Sequence, residues 1–261
     1  MAPYLFGDHT VLRPLKWYTT LHTHKGRAAT GMFLAEGRRV VEQIAATKPE
    51  AVDEVLFTED AGPVKSAEFP LRQLTAAQIR RIASTKTPQG LIAVVRAPTD
   101  IESSKIPEKP GSRILLLEDI QDPGNVGTLV RTAAAMGYDG IVASDKCADP
   151  LTPKAVQACA GSLYTVWIRR TRQYLSMVHD LQKRGFELIA TTAGGMSCRR
   201  WRPDGSLVLM LGNEGNGLSP SLLALADTRL AIPHAAERVE SLNVAAAGAI
   251  CMFISSAVST K

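Results

Sequence analysis

The feature that most constrains this chain is a rhythm in its second half. Short unbroken apolar runs alternate with stretches of helical periodicity, and the helices stop on glycine. Ile114–Leu117, Ile141–Ala143, Tyr164–Ile168, Leu188–Thr191, Leu207–Leu211 and Arg229–Ile232 read as strands. Val126–Met136, Pro153–Ala160 and Gln173–Arg184 read as helices ending at Gly137, Gly161 and Gly185, where a left-handed residue closes the last turn. Leu242–Ser256 reads as a long apolar helix. A strand that is apolar throughout must be covered on both faces, as in a parallel sheet flanked by helices.

The first half carries a smaller pattern of the same kind. Phe33-Leu34-Ala35 precedes Glu36-Gly37 and a helix over Arg38–Thr47, with Val40, Val41, Ile44 and Ala45 at helical spacing. Val52–Phe57 and Leu91–Val95 read as strands, the latter after the turn Pro88-Gln89-Gly90, and Thr75 is a candidate cap for a helix over Ala76–Ala83. Residues 97–112, APTDIESSKIPEKPGS, have no apolar periodicity and read as a linker. The chain is therefore expected to comprise an extension (1–21), a small α/β/α module (22–97), a linker (98–112) and a larger α/β domain (113–261).

Charge and cysteine usage narrow the class. The net charge of +5 is spread without a basic tail, which permits an RNA partner and does not demand one. Cys147, Cys159, Cys198 and Cys251 form no C-x-x-C pair and no Cys/His cluster of zinc spacing, so free thiols and no metal are expected. Met1–Thr10 has no long apolar core, and Val244–Ile254 is too short to span a bilayer. A soluble cytoplasmic protein without a membrane partner is the expectation.

Three strand ends lead into glycine- or asparagine-rich turns, and in open α/β sheets ligands bind beyond the carboxyl ends of strands. The first turn, in Glu118–Ala133, holds Asp122-Pro123-Gly124, then Asn125 as a candidate helix cap, then Arg131; a capped helix with a surface arginine fits this spacing equally. The second, LGNEGNGLS over Leu211–Ser219, puts one carboxylate, Glu214, among glycines and asparagines. It lacks the G-K-[ST] ending of a Walker A loop and does not open a long helix as G-x-G-x-x-G does. The third runs from Ala231 through Pro233 to Ser241-Leu242-Asn243, with Ser241 the candidate cap of the last helix.

In this order NVGTLVR, LGNEGNGLS and IP…ESLNVAAA resemble the three motifs of the SpoU/TrmH branch of the SPOUT RNA 2′-O-ribose methyltransferases. His24-Lys25-Gly26-Arg27, Phe33-Leu34-Ala35-Glu36-Gly37 and Thr87-Pro88-Gln89-Gly90 resemble that family's RNA-binding module, similar to the ribosomal L30e fold. The likeness spans residues 22–256. It implies an L30e-like α/β/α domain followed by a parallel-sheet SPOUT domain with a C-terminal trefoil knot, S-adenosylmethionine as cofactor, and a homodimer formed through the catalytic domain. It implies catalytic roles for Asn125, Arg131, Glu214, Ser241 and Asn243. The cofactor pocket would use Leu211, Gly212, Asn213, Gly217, Ile232 and Leu242.

RNA contact is expected from Lys25 and Arg27, and from Arg199, Arg200, Trp201 and Arg202, where cations flank an aromatic ring suited to a splayed base. Arg169, Arg170 and Arg172 would extend that track. Ribosomal RNA is favoured over transfer RNA. The run 232–245 departs from the family pattern: His234 replaces a methionine, a glycine is missing, the loop is one residue longer, and Ala245 replaces a serine. A transfer-RNA methyltransferase, a catalytically weak RNA-binding or ribosome-assembly protein of the same fold, and a nucleotide-dependent metabolic enzyme are the rival readings.

Overall fold

Residues 13–64 and 69–256 are described in the computed structural model. Residues 1–12 of the expected extension lie outside them. The chain forms two units: one takes residues up to Thr99 together with Asp149–Tyr164, the other takes Asp100–Ala148 and the rest.

The first unit begins earlier than residue 22. Helix α1 (Leu15–Thr20) is followed by α2 (His24–Thr30), β1 (Met32–Glu36), α3 (Arg38–Thr47), β2 (Val52–Phe57), β3 (Leu71–Gln73), α4 (Ala76–Ile82) and β4 (Leu91–Arg96). The sheet order is β1-β4-β2-β3. β4 runs antiparallel to β1 and β2, and β3 parallel to β2. Tyr18 and Leu21 share a core with Leu34, Leu56, Ile79, Ile82, Ile92 and Val94. Fully burying such a side chain contributes about 1.5–3 kcal/mol, so α1 is part of this unit's framework. Thr75 caps α4 in a capping box with Gln78, as its spacing predicts.

The second unit is built on β5 (Arg113–Leu117), α5 (Pro123–Ala135), β6 (Gly140–Ser144), β7 (Trp167–Thr171), α7 (Tyr174–Lys183), β8 (Glu187–Ser197), β9 (Leu207–Leu211), α8 (Pro220–Leu225), β10 (Thr228–Ala231) and α9 (Val244–Ile254). Its six strands lie in the order β10-β8-β9-β5-β6-β7, all parallel. Helix α6 (Pro153–Cys159), which sequence order alone puts in the larger domain, belongs to the first unit. β7 starts later than Tyr164 because Ser162–Tyr164 forms a turn of 3-10 helix. Its register is set at Gly140↔Trp167: the indole fills the space over Gly140, where any Cβ would fall 1.8 Å from a ring atom.

Alternate residues of the strands pack on opposite faces. Ile114, Leu116, Val142, Leu188, Ala190, Val208 and Met210 meet Met177, Val178 and Leu181 of α7 and Leu222 of α8. On α9, a Cβ at Gly248 would lie 2.5 Å from Leu129 of α5 and 2.8 Å from Leu211 of β9. The small-residue run there lets the last helix press directly onto its neighbours. Because the strands are parallel, the segments after β5, β9 and β10 leave from one edge of the sheet.

Candidate active site

Those segments are joined by side chains. Asn243 Nδ2 donates to Asn125 Oδ1 at 3.1 Å. Asn125 Nδ2 donates to Glu214 Oε1 at 2.9 Å. The Glu214 carboxylate also accepts from the backbone amides of Gln121 at 3.3 Å and Asp122 at 3.4 Å. One hydrogen-bonded run thus links the three turns that the sequence singles out. Partial burial pushes the Glu214 carboxyl up, but the bonds from Asn125 and the amides outweigh it and hold it below the ordinary carboxylate range.

The capping roles differ from expectation. Asp122, not Asn125, caps α5: its Oδ1 accepts from Gly124 N at 2.6 Å, and Pro123 occupies the first helical position, where no N–H is needed. Asn125 lies inside the first turn, and that frees its amide for Glu214 and Asn243. Likewise Asn243, not Ser241, caps α9, accepting from Ala245 N at 2.9 Å and Ala246 N at 3.2 Å. Ser241 is exposed on the preceding loop.

The second loop is folded on itself. Asn213 and Gly217 exchange backbone hydrogen bonds of 3.0 and 2.9 Å, and Asn213 Oδ1 accepts from the amides of Gly215 and Asn216. A Cβ at Gly212 would sit 2.1 Å from the Gly217 carbonyl carbon, so no other residue fits there. Gly217 has φ +68°, in the left-handed region. Asn213 Nδ2 donates to Asp119 O at 2.8 Å. Ile232 and Leu242 are half-buried beside the third turn. His234, in the departure from the family pattern, faces two carbonyls: Nδ1 lies 2.9 Å from Ile232 O and Nε2 3.4 Å from Glu240 O. The lengthened loop is closed by its own histidine.

Arg131 is exposed on α5 and, among the described residues, makes no hydrogen bond or ion pair, so its guanidinium donors are available. Glu214 bonds Asn125 and the turn amides, not Arg131. The expected RNA contacts divide. Lys25, Arg199, Arg200 and Arg202 are exposed. Arg27 is 5% exposed, donating to Leu21 O, His22 O and Asp149 Oδ2, and Trp201 is 3% exposed; neither is placed to meet RNA as the sequence predicts. Arg169 is buried against Asp100, Lys105 O and Ile168 O, and Arg170 folds onto Cys147 O and Asp145 O, leaving Arg172 alone of that track fully outward.

Asp119 is the site residue that sequence reading missed. It adopts φ +56°, a conformation aspartate tolerates better than most residues, and is fixed by Ser144: Ser144 Oγ donates to its carboxylate at 2.6 Å and accepts its amide at 2.9 Å. An aspartate at the last position before a turn was the available signal. The four cysteines are buried, and burial pushes the thiols of Cys147, Cys159 and Cys251 up, Cys251 to about 12, away from an activated nucleophile. Among the described residues no group of His, Cys, Asp or Glu is arranged to hold a metal ion.

Residues 112–253 match the SpoU rRNA Methylase family, and residues 14–93 match the MRM3-like substrate binding domain. The chain is 32% identical to the 23S rRNA (guanosine(2553)-2′-O)-methyltransferase RlmP of Bacillus subtilis, covering 92% of this chain and 94% of that protein. Among solved structures it is similar to a putative RNA methyltransferase of the TrmH family from Porphyromonas gingivalis, with TM-score 0.77, 29% identity and 93% and 97% of the two chains covered. It is also similar to the SpoU methyltransferase AviRb from Streptomyces viridochromogenes in complex with AdoMet, with TM-score 0.76, 25% identity and 91% and 94% covered. Matched over its sheet, its strand-end turns and its N-terminal unit, the chain belongs to the SpoU rRNA methylase family.

Proposed function

We propose that this protein transfers a methyl group from S-adenosylmethionine to a ribose 2′-hydroxyl of structured ribosomal RNA. The observation that carries the reading is the Asn243–Asn125–Glu214 run, which gathers three glycine- and asparagine-bearing turns at one sheet edge. The family match and the B. subtilis relative support the reaction, and the AdoMet complex of AviRb supports the cofactor.

The residues present fit the cofactor. Gly212 lets the 212–217 loop fold back on itself, Gly215 and Gly217 offer backbone without side chains, so main-chain groups can approach an adenine edge, and Ile232 and Leu242 supply apolar surface for its ring. When bound, the cofactor supplies an electrophilic methyl on a sulfonium. The protein must then bring a ribose hydroxyl into line and ease loss of its proton. A guanidinium stays protonated, so Arg131 acts by holding an RNA phosphate and stabilising alkoxide-like charge. Asn125 and Glu214 use their hydrogen-bonding groups on each other and on the turns; their part is to hold the pocket walls in register.

The reading extends to a C-terminal trefoil knot and to a homodimer. Ala246, Ile250 and Phe253 share one face of α9, where Ile250 is 39% and Phe253 70% exposed, a patch suited to a second copy. RNA binding by the N-terminal unit is supported by its match to a substrate binding domain. No described helix is long and apolar enough to cross a membrane, and a cytoplasmic site of action completes the proposal.

Labelled-methyl transfer from S-adenosylmethionine into purified ribosomal and transfer RNA, followed by mapping of ribose methylation, tests the reading. A ribose mark in ribosomal RNA is expected. A mark confined to transfer RNA would move the substrate, and label on a base would overturn the reaction.

A further inference from the structure

Glu118 directly follows β5 and is 4% exposed, yet it carries a carboxylate that the reaction does not use. Its Oε2 accepts the amide of Ser219 at 2.6 Å, and its Oε1 accepts the Tyr174 hydroxyl at 2.8 Å. Ser219 is where the glycine loop ends: its own Oγ caps α8 by accepting from Leu222 N. At the loop's other end, Asn213 Nδ2 donates to the carbonyl of Asp119, the very next residue after Glu118. Two successive residues directly after β5 therefore hold both ends of the loop 212–219, one by its side chain and one by its main chain. The left-handed turn at Asp119 redirects the chain between those two attachments. Tyr174, at the start of α7, occupies the carboxylate's other oxygen; burial and the neighbouring carboxylate push its phenol up, so it remains a donor.

We propose that Glu118 is a positioning residue for cofactor binding: its buried carboxylate sets the seat of the loop 212–219 by fixing the Ser219 amide, with Tyr174 fixing the carboxylate in turn. The proposal rests on the reading that this loop holds S-adenosylmethionine. A buried acceptor that satisfies one amide and one hydroxyl is expensive to delete, because both donors are stranded. It is cheap to replace by an amide, whose oxygen can accept from Ser219 N while its NH2 donates to the Tyr174 oxygen.

The test is calorimetric titration of S-adenosylmethionine into the full-length protein and its Glu118→Ala and Glu118→Gln variants, well below their melting temperatures, with steady-state kinetics and amide exchange alongside. Glu118→Ala is expected to weaken cofactor binding roughly tenfold or more, to raise KM for the cofactor more than it lowers kcat, and to speed exchange at Ser219. Glu118→Gln is expected to return affinity to within about threefold of the parent. Unchanged affinity in Glu118→Ala, with only a lowered melting temperature, would overturn the proposal, as would a Gln variant as weak as Ala. Exchange in the unmodified protein separates the two ideas. If the cofactor leaves residues 212–219 unprotected there, the loop is not its site, and the proposal falls with that reading.

Discussion

Asn125 and Asn243, 118 residues apart in sequence, meet side chain to side chain, with Asn243 Nδ2 donating to Asn125 Oδ1 at 3.1 Å. Asn125 is thereby the middle member of the run ending at Glu214, and its replacement breaks both links. Asn125→Ala is expected to reduce kcat/KM by about 10- to 100-fold through loss of two hydrogen bonds. Asn125→Asp should be worse than Ala, since it puts a second carboxylate where Glu214 Oε1 now accepts at 2.9 Å. Kinetics of the two variants, with melting curves to exclude unfolding, check the order; an Asp variant more active than Ala would contradict this geometry.

The depressed Glu214 carboxyl gives a pH dependence of defined sign. A carboxyl whose folded value lies below its unfolded value contributes stability above the unfolded value, and that contribution disappears as pH falls through the folded one. The loop should therefore stay ordered at pH 5 and loosen only below the ordinary carboxylate range, about 4. Amide exchange of residues 213–217 across an acid titration is the measurement. In Glu214→Gln the acid-linked change should vanish.

The alternation of apolar runs and glycine-terminated helices was enough to read the parallel sheet, because a strand covered on both faces has few other ways to be apolar throughout. The order of the turns was legible for the same reason. What escaped was which of two capping residues within a turn does the capping. Asp122 and Asn125, and again Ser241 and Asn243, are all competent caps, and only the backbone path selects between them. Burial of Trp201 and Arg27 was equally hidden: Trp201 lies between exposed arginines and Arg27 two residues from exposed Lys25, and neither short run has a periodicity that reports which side chain faces the interior. Helix α6 was misplaced because sequence order does not report where a connection docks.

Arg131 separates binding from turnover. Exposed, and without a hydrogen bond among the described residues, it is not part of the framework, so Arg131→Lys should leave the melting temperature and cofactor affinity unchanged. A lysine keeps the charge but loses the planar fork, and turnover is expected to fall at least about tenfold. Full activity in the Lys variant would show that charge alone suffices.

Arg27 and Lys25 should behave as opposites. Arg27 forms a buried pair with Asp149 at 2.6 Å, and removing one partner of such a pair costs about 3–5 kcal/mol. Arg27→Ala is thus expected to lower the denaturation midpoint sharply. Exposed Lys25 should cost the fold less than about 0.5 kcal/mol and, if the first unit meets RNA there, weaken RNA binding in a salt-dependent way. Denaturant titration and filter binding at two ionic strengths distinguish them.

Phe253 tests the proposed assembly. At 70% exposure its ring contributes little to the core of the chain that carries it, whereas Gly248, Cys251 and Met252 on the same helix are buried. Phe253→Asp should therefore leave the folded protomer intact by near-ultraviolet circular dichroism. If Phe253 and Ile250 face a second copy, a charge at their centre has no partner and must be desolvated on association, which costs several kcal/mol. The sedimentation coefficient should drop from that of a dimer to that of a monomer. A variant that remains dimeric would place the interface elsewhere on the protein, and a parent protein that sediments as a monomer would remove the dimer altogether.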